Sequence, residues 1–373
     1  MSTSAPDPEA AGAPADWDPA PFRDQLQATI EEFLAEQSLR LAPLGADGQR
    51  LMAQARLIVS GGKRFRAAFC YWGYRAVDTH PADEVALLRA CAALEVLHAS
   101  ALVHDDFMDA SDTRRGRPAT HRVFATEHRA GGWSGSDEQY GAAAAILLGD
   151  LLLSWADELL RRCGLPVERV SAALDLFDLC RSEVIVGQFL DVSVQARGRA
   201  DVDTAMTVLR YKSAKYSIER PLHIGAALAG ADPAVLAQLG AFGLPLGEAF
   251  QLRDDLLGVF GDPATTGKPA GDDLVEGKRT VLIALALDSD DGEGQIPVED
   301  RALLDRSLGT SLSPAQIHRL RQIIDASGAR AQVEDAIKAL TTRANAALDQ
   351  MTIAPTARAA LRALAQAATD RSH

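Results

Sequence analysis

Apolar residues recur at helical spacing along most of the chain. From near Pro21 they fall at Leu26, Ile30, Phe33 and Leu34, and from near Asp47 at Leu51, Ala55, Ile58 and Val59. Steps of three and four residues put such positions on one helix face. The same spacing runs from Ala86 to Met108 (Leu87, Ala90, Leu94, Leu97, Ala101, Leu102), from Ala142 to Leu160 and from Leu174 to Val194. Further helical stretches begin at Tyr211, cover Leu222 to Leu239 with a turn at Gly230 to Pro233, and follow Thr280 to about Leu287. Arg301 to Thr369 is helical again, with a break at Gly328. Between these, Ala130–Gly141 and the acidic Asp288–Asp300 read as loops. Residues 1–18, rich in Ala, Pro, Asp and Ser, read as a disordered tail. No repeat or internal boundary divides residues 19–373, so one all-α domain is expected.

Composition agrees. Hydrophobic residues make up 47% of the 373, enough for a large core, while aromatics are only 5%. Ala, Leu, Arg, Asp and Glu dominate, which favours helices over strands. The 38 basic residues against 51 acidic ones leave a net charge of −13. Such a chain is a poor nucleic-acid binder, because that affinity rests on neutralising phosphates. Cys70, Cys91, Cys163 and Cys180 form no C-x-x-C pair and read as buried free thiols. Met1–Trp17 lacks a signal-peptide pattern, and no apolar run reads as long enough to cross a bilayer. A soluble cytoplasmic protein without membrane insertion is the expectation.

The chemistry concentrates in one stretch, Asp105-Asp106-Phe107-Met108-Asp109, followed by Arg114-Arg115-Gly116-Arg117. On a helix the three carboxylates fall near one face and repel. A divalent cation relieves that repulsion. Mg²⁺ suits it, since Mg²⁺ commonly joins one or two carboxylates to a substrate phosphate. Guanidinium groups bind phosphate oxygens bidentately. Acids and arginines together therefore point to a metal-bound diphosphate. A second cluster, Gln251 with Asp254 and Asp255, is trailed by Lys268 and by Lys278. Upstream, Gly61-Gly62-Lys63-Arg64-Phe65-Arg66 pairs a glycine turn with bases at a helix start, an anion-binding arrangement in which Lys63 and Arg66 are spaced i,i+3.

These motifs resemble those of the trans-type polyprenyl (isoprenyl) diphosphate synthases, over roughly residues 30–370. The resemblance is strongest to geranylgeranyl diphosphate synthases. It implies an isoprenoid synthase-type helical bundle around a central cavity, Mg²⁺ as cofactor, and a homodimer. It implies 1′-4 head-to-tail condensation of isopentenyl diphosphate with an allylic diphosphate. Isopentenyl diphosphate would lie on Lys63, Arg66, His98 and Arg115. The allylic diphosphate would lie on Arg114, Lys212, Ser213 (Thr in the family), Gln251, Lys268 and Lys278. Metal would go to Asp105, Asp106, Asp109, Asp254 and Asp255, and catalysis of diphosphate departure to Asp105, Asp109, Arg114, Lys212 and Asp254. Ser100 and Ala101, one turn before Asp105, are small, with Leu97 deeper. Bulky aromatics there stop growth at fifteen carbons in the family, so geranylgeranyl diphosphate is the expected product, with a longer chain as the alternative.

One departure stands out. Most of the family has D-D-x-x-D as its second motif, and here the last position is Gly258. Asp262 is one turn on, beside Gly261 and Pro263. A terpene cyclase would share the first motif but usually carries N-D-x-x-S-x-x-x-E in place of Asp254-Asp255, and it needs no site at Lys63 and Arg66. A non-catalytic partner subunit is favoured only by Gly258. Gln188 and Asp191 read as possible cavity lining, and Asp150 as a core hydrogen-bonding group.

Overall fold

A computed structural model describes residues 17–199, 201–261, 271–288 and 296–370. Helices dominate it. The first half contains α1 (Pro19–Leu41), α2 (Gly45–Val59), α3 (Phe65–Val77), α4 (Glu84–Met108), α5 (Thr120–Ala130), α6 (Asp137–Arg161) and α7 (Val167–Arg197). Then come α8 (Val202–Val208), a π-helix (Leu209–Glu219), α9 (Arg220–Leu228) and α10 (Pro233–Phe260). The chain closes with α11 (Asp272–Glu276), α12 (Val281–Leu287), α13 (Val298–Ser307), α14 (Pro314–Ala326), α15 (Ala329–Gln350) and α16 (Pro355–Thr369). A two-residue-per-strand hairpin, β1 (Thr113–Arg114) with β2 (Arg117–Pro118), is the one sheet among the described residues.

Local chemistry sets the starts. Asp18, Asp83 and Asp232 each accept a backbone N–H at the N-cap of α1, α4 and α10, and Pro19 and Pro233 occupy the first helical positions. Ser136 caps α6 by accepting from Gln139 N, with Asp137 and Glu138 in the first turn. Sequence reading therefore placed this boundary too late: residues 137–141 are helical, and the glycine-rich connection is shorter than expected. Likewise α13 starts at Val298, inside the expected acidic loop, whose residues 289–295 lie outside the described set. The expected tail ends earlier too. Trp17 packs edge-on against Trp72 at 5.7 Å, and residues 1–16 are outside the description.

The helix α4 sits at the centre. It is apolar nearly all round, with Leu87, Ala90, Leu94, Leu97 and Val103 buried against α1, α3 and α6. Contrary to the sequence expectation, α4, with 25 residues, is by length and composition apolar enough to cross a membrane. It is a core helix instead, mostly buried. All four cysteines are buried and unpaired, as expected. A second apolar cluster gathers α12–α15 around the C-terminal half of α10. The N-terminal half of α10 packs in the first cluster, so this helix runs through both.

Where α3 meets α9, backbones touch. A Cβ on Gly225 would fall 1.8 Å from the Cys70 carbonyl oxygen, and one on Gly73 2.4 Å from that of Leu222. Neither clash is relieved by turning a side chain. Gly225→Ala should destabilise the fold by about 1–3 kcal/mol or more, the usual cost of overpacking. A thermal melt checks this; an unchanged midpoint would show that the helices separate freely.

Candidate active site

The first acidic motif ends α4, and the helix divides its carboxylates. Successive residues turn by about 100°, so Asp105 faces a cavity while Asp106 turns into protein, 1% exposed. Arg114 Nε donates to Asp106 Oδ1 at 2.7 Å, with Nη2 on the same oxygen. The hairpin makes this contact. Arg115 and Gly116 form its two-residue turn, both with positive φ (53° and 72°), the type I′ pattern that matches strand twist. Arg114 is thereby aimed inward, and Arg115 Nη1 reaches the Ser60 carbonyl at 3.0 Å. Asp109 caps α4, and burial followed by the charge of Asp105 pushes its carboxyl up to about 6. The three aspartates expected on one face thus take three settings.

The glycine turn before α3 behaves differently from its sequence reading. Arg64 takes a left-handed conformation (φ 57°), so Lys63 precedes the helix and its i,i+3 relation to Arg66 is not helical. Arg64 is buried and structural, pairing with Glu95 at 3.1 Å. Lys63 and Arg66 nevertheless both line the cavity. The Arg66 guanidinium lies 4.4 Å over the Tyr216 ring and donates to Ser217 Oγ at 2.8 Å. His98 Nδ1 is 3.1 Å from the Tyr216 hydroxyl. Burial, then the charges of Arg66 and Arg115, hold this imidazole well below its ordinary value, so it is neutral at pH 7. One ring nitrogen then carries a proton and the other accepts.

Across the cavity, the expected helix at Tyr211 is a π-helix. Wide π turns concentrate at functional sites. Lys212 Nζ lies 2.6 Å from Asp191 and 3.4 Å from Asp105. Burial alone would lower this amine, but Asp105 and Asp191 outweigh it and keep it charged. Ser213 donates to Gln251 Oε1, and Gln251 Nε2 donates to Asp255 Oδ1 at 2.8 Å. The serine hydroxyl therefore keeps a hydrogen-bond role at the position where the family has threonine. Two glycines let neighbours reach this segment: a Cβ on Gly187 of α7 would fall 2.5 Å from Lys212 N, and one on Gly247 of α10 2.4 Å from the Ala214 carbonyl oxygen.

The second motif supplies both Asp254 and Asp255 to the cavity wall, Asp255 the more buried. Burial, then the neighbouring Asp273, pushes the Asp255 carboxyl up to about 8. Gly258 leaves no empty space: a Cβ there would meet Asp273 Oδ2 at 1.8 Å. A carboxylate from α11 occupies the side of α10 that lost its own. Lys278 Nζ ties the motifs together, 2.5 Å from Glu276, 3.2 Å from Asp273 and 3.8 Å from Asp109. Lys268 and Asp262 lie outside the described residues. Asp150 is exposed at the cavity wall, 3.5 Å from His104, rather than in the core. Sequence reasoning missed Glu95, Tyr216, Asp273 and Glu276. Only the run Gly271-Asp272-Asp273 carried a visible signal.

These groups surround one cavity of about 1320 Å³. Its upper part is charged. Its lower part runs between α4, α6 and α7 past Ala101, Leu97, Leu153 and Val184. Among the described residues, no three His, Cys, Asp or Glu side chains converge to cage an ion. Open carboxylates of this kind fit Mg²⁺, which keeps waters and takes substrate phosphate oxygens. Asp105 and Asp254, which line the cavity, are the donors that would hold it, with Asp109, nearly buried beside Lys278 one turn on from Asp105, as a third.

A helical bundle with two facing acid–base clusters above an apolar channel defines a handler of diphosphates with long apolar tails. Residues 49–326 match the polyprenyl synthetase family model, and the chain belongs to that family. It is 32% identical over 302 residues to a geranylfarnesyl diphosphate synthase of Aeropyrum pernix, covering 80% of this chain and 86% of that protein. A geranylgeranyl diphosphate synthase of Mycobacterium tuberculosis is 37% identical over 231 residues, 62% of this chain and 60% of that one. In structure it resembles the Corynebacterium glutamicum geranylgeranyl pyrophosphate synthase, solved with isoprenyl diphosphate and magnesium. That match has a TM-score of 0.92 and 42% identity, covering 95% of this chain and 100% of that one. The protein is thus an enzyme, a prenyltransferase of all-α fold.

The raised Asp109 carboxyl has a pH consequence. A metal held by Asp109 would need the carboxylate form, so protons would compete with it below pH about 6. Apparent Mg²⁺ affinity should fall roughly tenfold per pH unit below that point and level off above it. Calorimetric titration at several pH values checks this, and a flat profile would refute it.

Proposed function

We propose that the protein condenses isopentenyl diphosphate with an allylic diphosphate and stops chiefly at geranylgeranyl diphosphate. The observation that carries this reading is the vertical order of the cavity, with paired acids and bases at the top and small residues, Ser100 and Ala101, directly beneath Asp105. Lys212, Arg114 and Lys278 bind the allylic diphosphate and meet the negative charge that grows as its C1–O bond breaks. Asp105, Asp109 and Asp254 hold Mg²⁺, which when bound neutralises the same oxygens. In this reading Asp106 orients Arg114 rather than meeting metal. Lys63, Arg66, Arg115 and the neutral His98 hold isopentenyl diphosphate so that its double bond faces the allylic C1. A C–C bond forms there, and the departing diphosphate accepts the proton lost from the new chain. Asp273 supports activity despite Gly258, which argues against the non-catalytic reading. The full base set at Lys63 and Arg66 argues against a cyclase.

Residues 19–373 act as one domain in this reading, since α10 passes through both apolar clusters. The enzyme is cytoplasmic and works as a homodimer. Apolar side chains stand exposed on α6 and α7, among them Leu147 (62%), Val186 (64%) and Phe189 (71%), the last also at the cavity wall. A second copy would cover them.

Incubating the protein with Mg²⁺, isopentenyl diphosphate and farnesyl diphosphate should yield a twenty-carbon diphosphate; no elongation would refute the assignment. Ala101→Phe should shorten the product to fifteen carbons, read by chromatography of dephosphorylated products, and an unchanged length would place the chain elsewhere. Phe189→Glu should shift the protein from dimer to monomer in sedimentation, while a parent protein already monomeric would overturn the homodimer.

A further inference from the structure

We propose that Arg181, paired with Asp157, is the floor that sets product length. This rests on the prenyltransferase reading above and names the residue that limits it.

Contacts between α4 and α6 fix depth. His104 meets the Ile146 carbonyl at 3.2 Å, and Ser100 donates to that of Gly149 at 2.8 Å. The helices run antiparallel, so Leu97 falls level with Leu153, and Asp157 lies one turn lower. On α7 the residues that line the cavity descend as Asp191, Gln188, Val184 and Arg181, a single helical stripe. Arg181 Nη1 crosses to Asp157 Oδ1 at 3.3 Å and so ties α7 to α6, while its Nη2 pairs with Asp178 on α7 and Asp157 pairs with Arg161 on α6. Its guanidinium lies 4.9 Å over the ring of Phe177. Phe177, Ala93 and Ala156, at or below this level, are fully buried. The channel ends where the ion pair begins.

The depth suits the chemistry. Asp191 and Arg181 are ten residues apart on α7, roughly 15 Å of helix. A trans five-carbon unit of four bonds spans roughly 5 Å, from carbon–carbon bonds near 1.5 Å. A fifteen-carbon tail therefore reaches Arg181. The twenty-carbon product, with its diphosphate back at Lys212, would have to force hydrocarbon into the ion pair. Desolvating a guanidinium and a carboxylate without replacing their partners is costly. Growth stops there.

The test is product length from farnesyl diphosphate and excess isopentenyl diphosphate. Arg181→Ala should raise the ratio of twenty-five-carbon and longer products to twenty-carbon product by about tenfold or more. Arg181→Met, which keeps bulk without charge, should fall between it and the parent. Asp157→Asn, which keeps the fold's packing and weakens the pair, should also lengthen the product, and it carries the test if Arg181→Ala does not fold by circular dichroism. Unchanged profiles in folded variants overturn the floor while leaving the prenyltransferase reading intact. A parent enzyme that runs past twenty carbons also overturns it. A parent that does not elongate overturns both.

Discussion

Like charge crowded into one cavity is the constraint on which this structure turns. Asp105 and Asp109 share the end of one helix, and Asp255 and Asp273 meet across two others. Unit charges about 4 Å apart interact by roughly 4 kcal/mol at an effective dielectric near 20. Burial, then these like charges, push the Asp109 and Asp255 carboxyls up toward neutral pH, and the fold answers with cations. Lys212 arrives from the π-helix, and Lys278 from beyond α11, where Glu276, Asp273 and Asp109 surround it and keep it charged despite its burial. Arg114 performs the same service for Asp106, so that one acid of the motif is spent on fixing a base. The result is a preset field of the kind that suits a metal and a diphosphate.

The second motif shows how that field tolerates a lost residue. By sequence, Gly258 removes a carboxylate. In space, Asp273 fills the position and contacts Lys278 at 3.2 Å. The two positions fit each other, since a side chain at 258 would displace the carboxylate. This wall of the cavity keeps a carboxylate although the motif lacks its last one.

Helical spacing made most of this legible. The period predicted α1, α4, α7 and only the first turns of α10, and the acid and base motifs named the cavity's upper wall, because both signals are local. What stayed hidden depends on contacts far along the chain. Nothing local distinguishes Asp105 from Asp106 until Arg114 folds back on the latter. Nothing local shows Arg64 left-handed, since Glu95 holds it there from α4. The buried Tyr216 and Glu95 carry no motif. The α4 hydropathy misled in the other direction, because a helix apolar all round can belong to a bilayer or to a core, and only its neighbours decide.

Charge placement and tail length are set along the same rod. Lys212 has a flexible side chain, yet its backbone is clamped. Gly187 lets α7 touch its amide, and Gly247 lets α10 touch Ala214, two residues on. A preorganised charge is worth more than a mobile one, since no reorganisation remains to be made during reaction. The π turn widens the backbone at the place where both neighbours need room to approach. Asp191, one turn beyond Gly187 on α7, grips the Lys212 amine at 2.6 Å, and the same helix descends through Gln188 and Val184 to Arg181. If the proposed floor holds, one rigid element would position the diphosphate-binding Lys212 at its upper end and limit the tail at its lower. The distance between them is set by the helical rise and not by side-chain flexibility, which is why a single helix can measure a product.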